Sequence, residues 1–283
     1  MAERDRFWTE QEIRDRISIS TYVFSGFQPI CEQTLSELTS GGICKIELSQ
    51  CPQRYDVSNK ESMRFMRELF SSCGIELVAF HCNHVSFDRI RTEQERVERV
   101  DVCKKQLDTL MELGGTVWGS HAGTADIIVT KSYEELARYV EGTDVAVTVE
   151  NFPYVGREVE DRVAFLDSLN HPNAGMILDI GHVLDGSGGN PMTVPGGPTR
   201  VIEMCAKHLR HLHMHGFKDG RDHHPPLTDG DTIQWVELFQ MLKEVEYRGA
   251  FNFEPAGKPL HTDSVERTAR FPQEIVALEA SQT

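Results

Sequence analysis

The sequence lacks the features that would place it in a membrane, secreted or nucleic-acid-binding class. No apolar run approaches the roughly 20 residues needed to span a bilayer. The opening stretch, MAERDRFWTEQEIRDR, is polar where a signal peptide would be apolar. The seven cysteines are odd in number and form no C-x-x-C, which argues against both a disulfide framework and a cysteine zinc knuckle. Free thiols in a reducing cytoplasm are the expectation. There is no Lys/Arg-rich run, and the formal net charge of −15 repels phosphate backbones, so nucleic acid is a disfavoured partner. No G-x-G-x-x-G, linker or low-complexity tract interrupts the 283 residues, which suffice for one well-buried α/β core.

Short apolar runs alternate with helical patterns along the whole chain. Strands are expected at 17–23, 44–49, 75–81, 115–121, 145–151, 174–180, 209–215 and 250–254. Segment 92–113 has helical periodicity, with Val97, Val100, Val102, Cys103, Leu107, Leu110, Met111 and Leu113 on an expected buried face. A second helix is expected over 232–246, opening at Thr232. Gly41-Gly42, Gly74 and Gly114-Gly115 fall where helix C-caps belong, just ahead of strands.

Eight strands alternating with helices fit either a closed parallel barrel or an open doubly wound sheet. The polar residues decide between them. Glu47, His81, His121, Glu150, Asp179, His213 and Glu254 all fall at or near C-terminal strand ends. Those ends converge on one mouth only in a barrel. The expected fold is therefore an α/β (β/α)8 TIM barrel, a single domain over 1–283 with an N-terminal extension over 1–15.

An ionised carboxylate at the end of VAVTV (Glu150), GMIL (Asp179) or AFNF (Glu254) is costly unless paired, protonated or bound to a cation. Three of them at one mouth repel unless a divalent ion neutralises them. Carboxylates with an imidazole suit Mn²⁺, Mg²⁺, Co²⁺ or Zn²⁺. In His211-Leu-His213-Met-His215 the three imidazoles share one strand face, and strand register leaves His213 or His215 as the ligand. His182 follows Asp179 by three residues, Asp222-x-His224 offers another acid–imidazole pair, and His81 and His121 end their strands. Together these could supply a second or third metal position.

The segments ENFP (150–153), LDIGH (178–182), RHLHMH (210–215), DHHPPLTDGDTIQW (222–235) and FNFE (251–254) resemble the xylose isomerase-like TIM-barrel superfamily. Specifically, they resemble its sugar phosphate isomerase/epimerase branch, related to the endonuclease IV family of AP endonucleases. The resemblance implies a metal on Glu150, Asp179, His213 and Glu254, Mn²⁺ being the leading candidate, with His182 beside the substrate or a second metal. In the endonuclease branch nine ligands hold three zinc ions. Here His81, His121, Glu150, Asp179, His182, His213, Asp222, His224 and Glu254 could fill those places. Thr228 and Asp229 depart from the usual Gly-Glu of the loop.

The leading functional expectation is a cytoplasmic, metal-dependent sugar or keto-sugar isomerase or epimerase working through an enediolate. Glu150 and Glu254 would be its acid–base pair and His182 a catalytic partner. Glu47, His84 and Trp118 are expected to line the mouth, and His215, Lys218 and Arg221 to bind substrate oxygens. Its partner would be a small carbohydrate; no membrane is involved, and self-association into a homo-oligomer stays open. Three alternatives remain: a keto-sugar or inosose dehydratase or 3-keto-glycoside lyase, a trinuclear-zinc phosphodiesterase, and a ligand-binding barrel without turnover.

Overall fold

A computed structural model describes residues 7–24, 30–49, 59–82, 87, 90–123, 125–151, 159–185, 187–223, 227, 230–255 and 261–282, the side chains of 222, 223 and 261–263 aside. His84 and His224, both expected at the site, lie outside the described residues, and of Asp222 only the backbone is described.

Eight parallel strands close into a barrel: β1 (Ile17–Ser20), β2 (Lys45–Ser49), β3 (Glu76–Cys82), β4 (Val117–Ser120), β5 (Ala146–Glu150), β6 (Ala174–Asp179), β7 (Leu209–Met214) and β10 (Phe251–Phe253). They neighbour one another in chain order, and β10 pairs with both β7 and β1 to complete the ring. Between β7 and β10 a short antiparallel hairpin, β8 (Gly216–Lys218) and β9 (Arg221–His223), rises from the C-terminal end. The helices are α1 (Glu10–Arg14), α2 (Glu32–Ser40), α3 (Lys60–Cys73), α4 (Glu93–Glu112), α5 (Ile127–Tyr139), α6 (Val159–Leu169), α7 (Gly197–Cys205), α8 (Trp235–Glu244) and α9 (His261–Gln282).

The expected strands are all present; β3 keeps its length but sits one residue later, and the others are shortened by one to three residues. Residues 21–24 leave β1 as a 3-10 turn. Gly74 caps α3 in the left-handed conformation at φ 66°, and Gly42 and Gly114 also take positive φ after their helices. Helix α4 starts where its Thr92/Glu95 capping box places it. Its buried face differs from the expectation. Val97 and Val102 are exposed, whereas Arg96, Gln106 and Thr109 are buried. Helix α8 begins at Trp235, three residues later than expected. Thr232 is held instead by two bonds to the Phe217 carbonyl, one from its N–H and one from its hydroxyl, both 2.8 Å.

Side-chain alternation along each strand separates two apolar–polar worlds. Outward residues fill the layer between barrel and helices, while inward ones are largely polar. Strand β10 shows how this aims a functional group. Phe251 and Phe253 lock outward against Phe239 and Phe271, at centroid separations of 4.8 and 4.9 Å respectively. Asn252 therefore faces inward, accepting from Ser18 Oγ at 2.8 Å, and Glu254 follows it inward at the mouth. The segment ahead of β1 is packed against the barrel. Trp8 is buried, donates to the Phe239 carbonyl at 2.7 Å and carries the Arg16 and Lys243 cations over its ring.

Candidate active site

Six strand ends, those of β3 to β7 and β10, bring their acids and imidazoles to one buried cluster. Glu150 ends β5 and Asp179 ends β6, each following a run that packs its alternate residues outward. Asp179 is oriented twice. Its Oδ1 accepts from the Gly181 and His182 N–H groups at 2.8 and 3.1 Å, a local turn dictated by D-I-G-H. Its backbone is also clamped by Asn151, whose amide donates to the Asp179 carbonyl (2.9 Å) and accepts from the Asp179 N–H (2.8 Å). Asn190 donates to the Ile180 carbonyl at 2.9 Å and steadies the same loop.

Oδ2 of Asp179 is then turned into the cluster, 3.1 Å from His182 Nδ1, 3.2 Å from His215 Nε2 and 3.8 Å from His213 Nδ1. His213 Nδ1 also lies 3.7 Å from Glu150 Oε2 and 3.5 Å from Glu254 Oε2. His81 Nε2 and His121 Nε2 approach Glu150 Oε2 at 2.8 and 3.1 Å, and His182 Nδ1 lies 3.4 Å from Glu150 Oε1. Glu150, Asp179, His213 and His215 are fully or almost fully buried; His121, His182 and Glu254 keep some exposure and mark the side facing solvent.

Burial alone would push the Glu150 carboxyl up. The nearby His121, His213 and His81 outweigh it and hold the group well below the usual carboxylate range. Glu254 behaves the same way, burial being outweighed mainly by His213 and His215, with Glu150 opposing. For His213 burial pulls down, but Glu47, Glu254 and Glu150 together raise it well above the ordinary imidazole value.

The donor set fits a divalent cation. His213 Nδ1 is buried and faces oxygens of three acids at 3.5–3.8 Å, beyond ordinary hydrogen-bond distance. Such spacing suits atoms arranged around one ion better than hydrogen bonds. Potential ligand atoms also converge within 4.8 Å in the sets Glu150–Asp179–His213, Asp179–His215–Glu254, His81–His121–Glu150 and Glu47–His81–His213–Glu254.

A family model described as "Xylose isomerase-like TIM barrel" matches residues 43–276. The chain belongs to the xylose isomerase-like TIM-barrel family. Among solved structures, this family member resembles the D-psicose 3-epimerase of Clostridium cellulolyticum H10 solved with D-tagatose, at TM-score 0.69 and 15% identity over 94% of this chain and 98% of that one. A xylose isomerase-like TIM-barrel protein of Mycobacterium smegmatis in complex with magnesium gives TM-score 0.70 and 13% identity over 97% and 99%. The probable 3-DHS dehydratase AsbF of Bacillus anthracis gives 0.69 and 12% over 91% and 98%. No curated protein matches the sequence. At these identities the likeness shows the shared barrel.

Within this family member's barrel, Glu150, Asp179, His213 and Glu254 come together as expected, joined by His81, His121, His182 and His215. Two residues expected at the mouth are elsewhere. Trp118 faces out of the barrel, fully buried, and donates through Nε1 to Gln106 of α4 at 3.0 Å. Its neighbour Gly119 occupies the inward position, where a Cβ would stand 3.3 Å from His81. Glu47 faces inward but is fully buried beneath the acids, its Oε2 accepting from His211 Nε2 (3.1 Å) and His213 Nε2 (2.9 Å). Lys218 and Arg221 stand opposite each other beside the Asp219-Gly220 turn of the hairpin, Arg221 exposed.

Asn151, Asn190 and Asp231 are the positioning residues that sequence reasoning missed. Asp231 gathers the loop after β9: Oδ1 accepts from the Phe217 and Ile233 N–H groups, both at 3.1 Å, and Oδ2 from the Leu227 N–H (2.9 Å) and Trp235 Nε1 (2.8 Å). Asp231→Ala strands four donors, so it should destabilise the fold by about 2–4 kcal/mol, since hydrogen bonds to charged groups contribute about 1.5–3 kcal/mol each and water recovers part of the loss. Urea unfolding of the variant against the parent measures this.

Proposed function

We propose that this chain is a divalent-metal-dependent isomerase or epimerase of a sugar or keto-sugar, with a ketose as substrate. The observation that carries the reading is the meeting of Glu150 and Glu254 around His213 and Asp179 in one mouth. Glu150, Asp179, His213 and Glu254 would hold the ion, Mn²⁺ first among candidates and Mg²⁺, Co²⁺ or Zn²⁺ next. When bound, the ion supplies Lewis-acid polarisation of the substrate carbonyl.

The residues themselves do the proton work. Glu150 and Glu254 come from β5 and β10, strands separated by β6 and β7, and reach His213 from two sides. Both are held in the ionised range, so either can take a proton from the carbon beside the carbonyl at neutral pH. Return of a proton from the opposite carboxyl inverts that carbon. His182, partly open to solvent and anchored beside Asp179, is placed to donate to a substrate oxygen, and His215 would help hold that side of the site.

Similar barrels have been solved with D-tagatose, D-allulose and D-fructose, which supports ketohexoses as the first probes. Incubation of each with the Mn²⁺-loaded protein in D₂O should give an isomer or epimer of retained skeleton, deuterated at the inverted or transferred carbon. Loss of water would instead identify the lyase reading, whose proton abstraction is the same. A second reading has one observation in its favour: His81 and His121 both approach Glu150 Oε2 and form a further candidate ligand set with it. An additional ion there would bring the site toward the multinuclear hydrolase pattern. Two or more tightly bound zinc ions with cleavage of abasic DNA would select it.

A further inference from the structure

Beneath the acids, β2 and β7 build a polar contact that the proposed chemistry does not use. Glu47 is fully buried, and a single oxygen, Oε2, lies 2.9 Å from His213 Nε2 and 3.1 Å from His211 Nε2. A carboxylate has only acceptors to offer, so each imidazole must present an N–H there. The Nε2 proton of His213 is thereby fixed on the side away from the mouth, and Nδ1 is the nitrogen aimed at Glu150, Asp179 and Glu254.

The register of the barrel supports the contact. On either side of it the pairing skips one residue, Val78 on β3 opposite β2 and Arg210 on β7 opposite β6. Both irregularities lie at the level of Glu47 and His211, where they set which residues face inward. The second oxygen of Glu47, Oε1, is buried and makes no hydrogen bond among the described residues.

We propose that Glu47 is a positioning residue: by accepting from His213 Nε2 it fixes the ring's tautomer and orientation, so that Nδ1 is delivered to the divalent ion, while His211 holds Glu47 from below. The inference rests on the reading of His213 as an ion ligand. It makes the Glu47–His213 contact part of the ion's affinity, with Glu47 acting through the imidazole ring.

Glu47→Ala and Glu47→Gln separate this from a purely structural role. Glutamine keeps an acceptor for both imidazoles and places its amide nitrogen where Oε1 has no partner to lose. Mn²⁺ affinity, measured by competition with a chromophoric chelator on the full chain, should fall about 10–100-fold in the alanine variant, the range seen for outer partners of metal-bound histidines. It should stay within a few-fold of the parent in the glutamine variant. In the Co²⁺-loaded parent, the paramagnetically shifted Nε2–H of His213 should be visible and slow to exchange with solvent. Parent-like affinity in Glu47→Ala, equal losses in both variants, or a fast-exchanging Nε2–H in the parent would each overturn the proposal while leaving the ion reading intact. A parent that binds no divalent ion would overturn the ion reading and this inference together.

Discussion

Glu150→Gln and Glu254→Gln should each lower turnover of the proposed ketose by roughly 10²–10⁴-fold, the usual contribution of a positioned acid–base group. Glutamine matches glutamate in size but cannot carry the proton. At Glu150 the change also meets the imidazoles of His81 and His121, 2.8 and 3.1 Å from Oε2, so ion affinity should drop with turnover. Glu254 keeps slight exposure, and it lies 3.5 Å from His213 and His215 and 3.8 Å from His81. Its variant should retain more of the bound ion. The two should differ in a second way. If one carboxyl serves each face of the substrate, each variant loses proton abstraction from one epimer first. Deuterium wash-in followed separately from the two epimers reads this asymmetry, and a loss below tenfold in both variants would contradict the assigned roles.

Loading with Mn²⁺ should raise the melting temperature, and the rise should grow with pH. An ion present at about 100 times its dissociation constant adds about 2.7 kcal/mol, or roughly 4–5 °C for a domain of this size. The pH dependence follows from His213, which is held well above the ordinary imidazole value because Glu47, Glu254 and Glu150 outweigh the opposing effect of burial. In the ion-free protein this charge contributes stability that is fully present below the unfolded value of about 6.5 and is lost as pH rises through the folded value. An ion needs Nδ1 without its proton, so binding releases a proton and strengthens with pH. The depressed Glu47 and Glu150 act in the opposite range. Their contribution is present above about pH 4.3 and disappears as pH falls through their folded values. Scanning calorimetry with and without Mn²⁺ at pH 6.5 and 8.5 should show the larger gain at 8.5, and an equal or reversed gain would contradict the role of His213.

The barrel was legible because the strand-end polar residues lie at regular intervals along alternating elements, a pattern that makes sense only where eight strand ends meet. The acids were legible for the same reason: Glu150, Asp179 and Glu254 each close an apolar run. What sequence could not supply was the facing of residues near a glycine. Gly119 has no side chain to reveal that it faces inward, so its outward neighbour Trp118 read as part of the mouth. Depth was equally hidden. Glu47 has the same strand-end appearance as Glu150, and only the barrel's register places it beneath the acids, against His211 and His213. The hairpin carried a readable sign, the Asp219-Gly220 pair that favours a tight two-residue turn. Asn151 acts through the backbone of Asp179, 28 residues away, and nothing local announces that contact.

On the proposed function, one divalent ion sits where β5, β6, β7 and β10 deliver their side chains. Anomalous diffraction from crystals of the full chain grown with Mn²⁺ tests it directly. A single strong peak is expected within bonding distance of carboxylate oxygens of Glu150, Asp179 and Glu254 and of His213 Nδ1. A peak on His215 instead of His213, an ion held only by His81, His121 and Glu150, or no peak at all would contradict it.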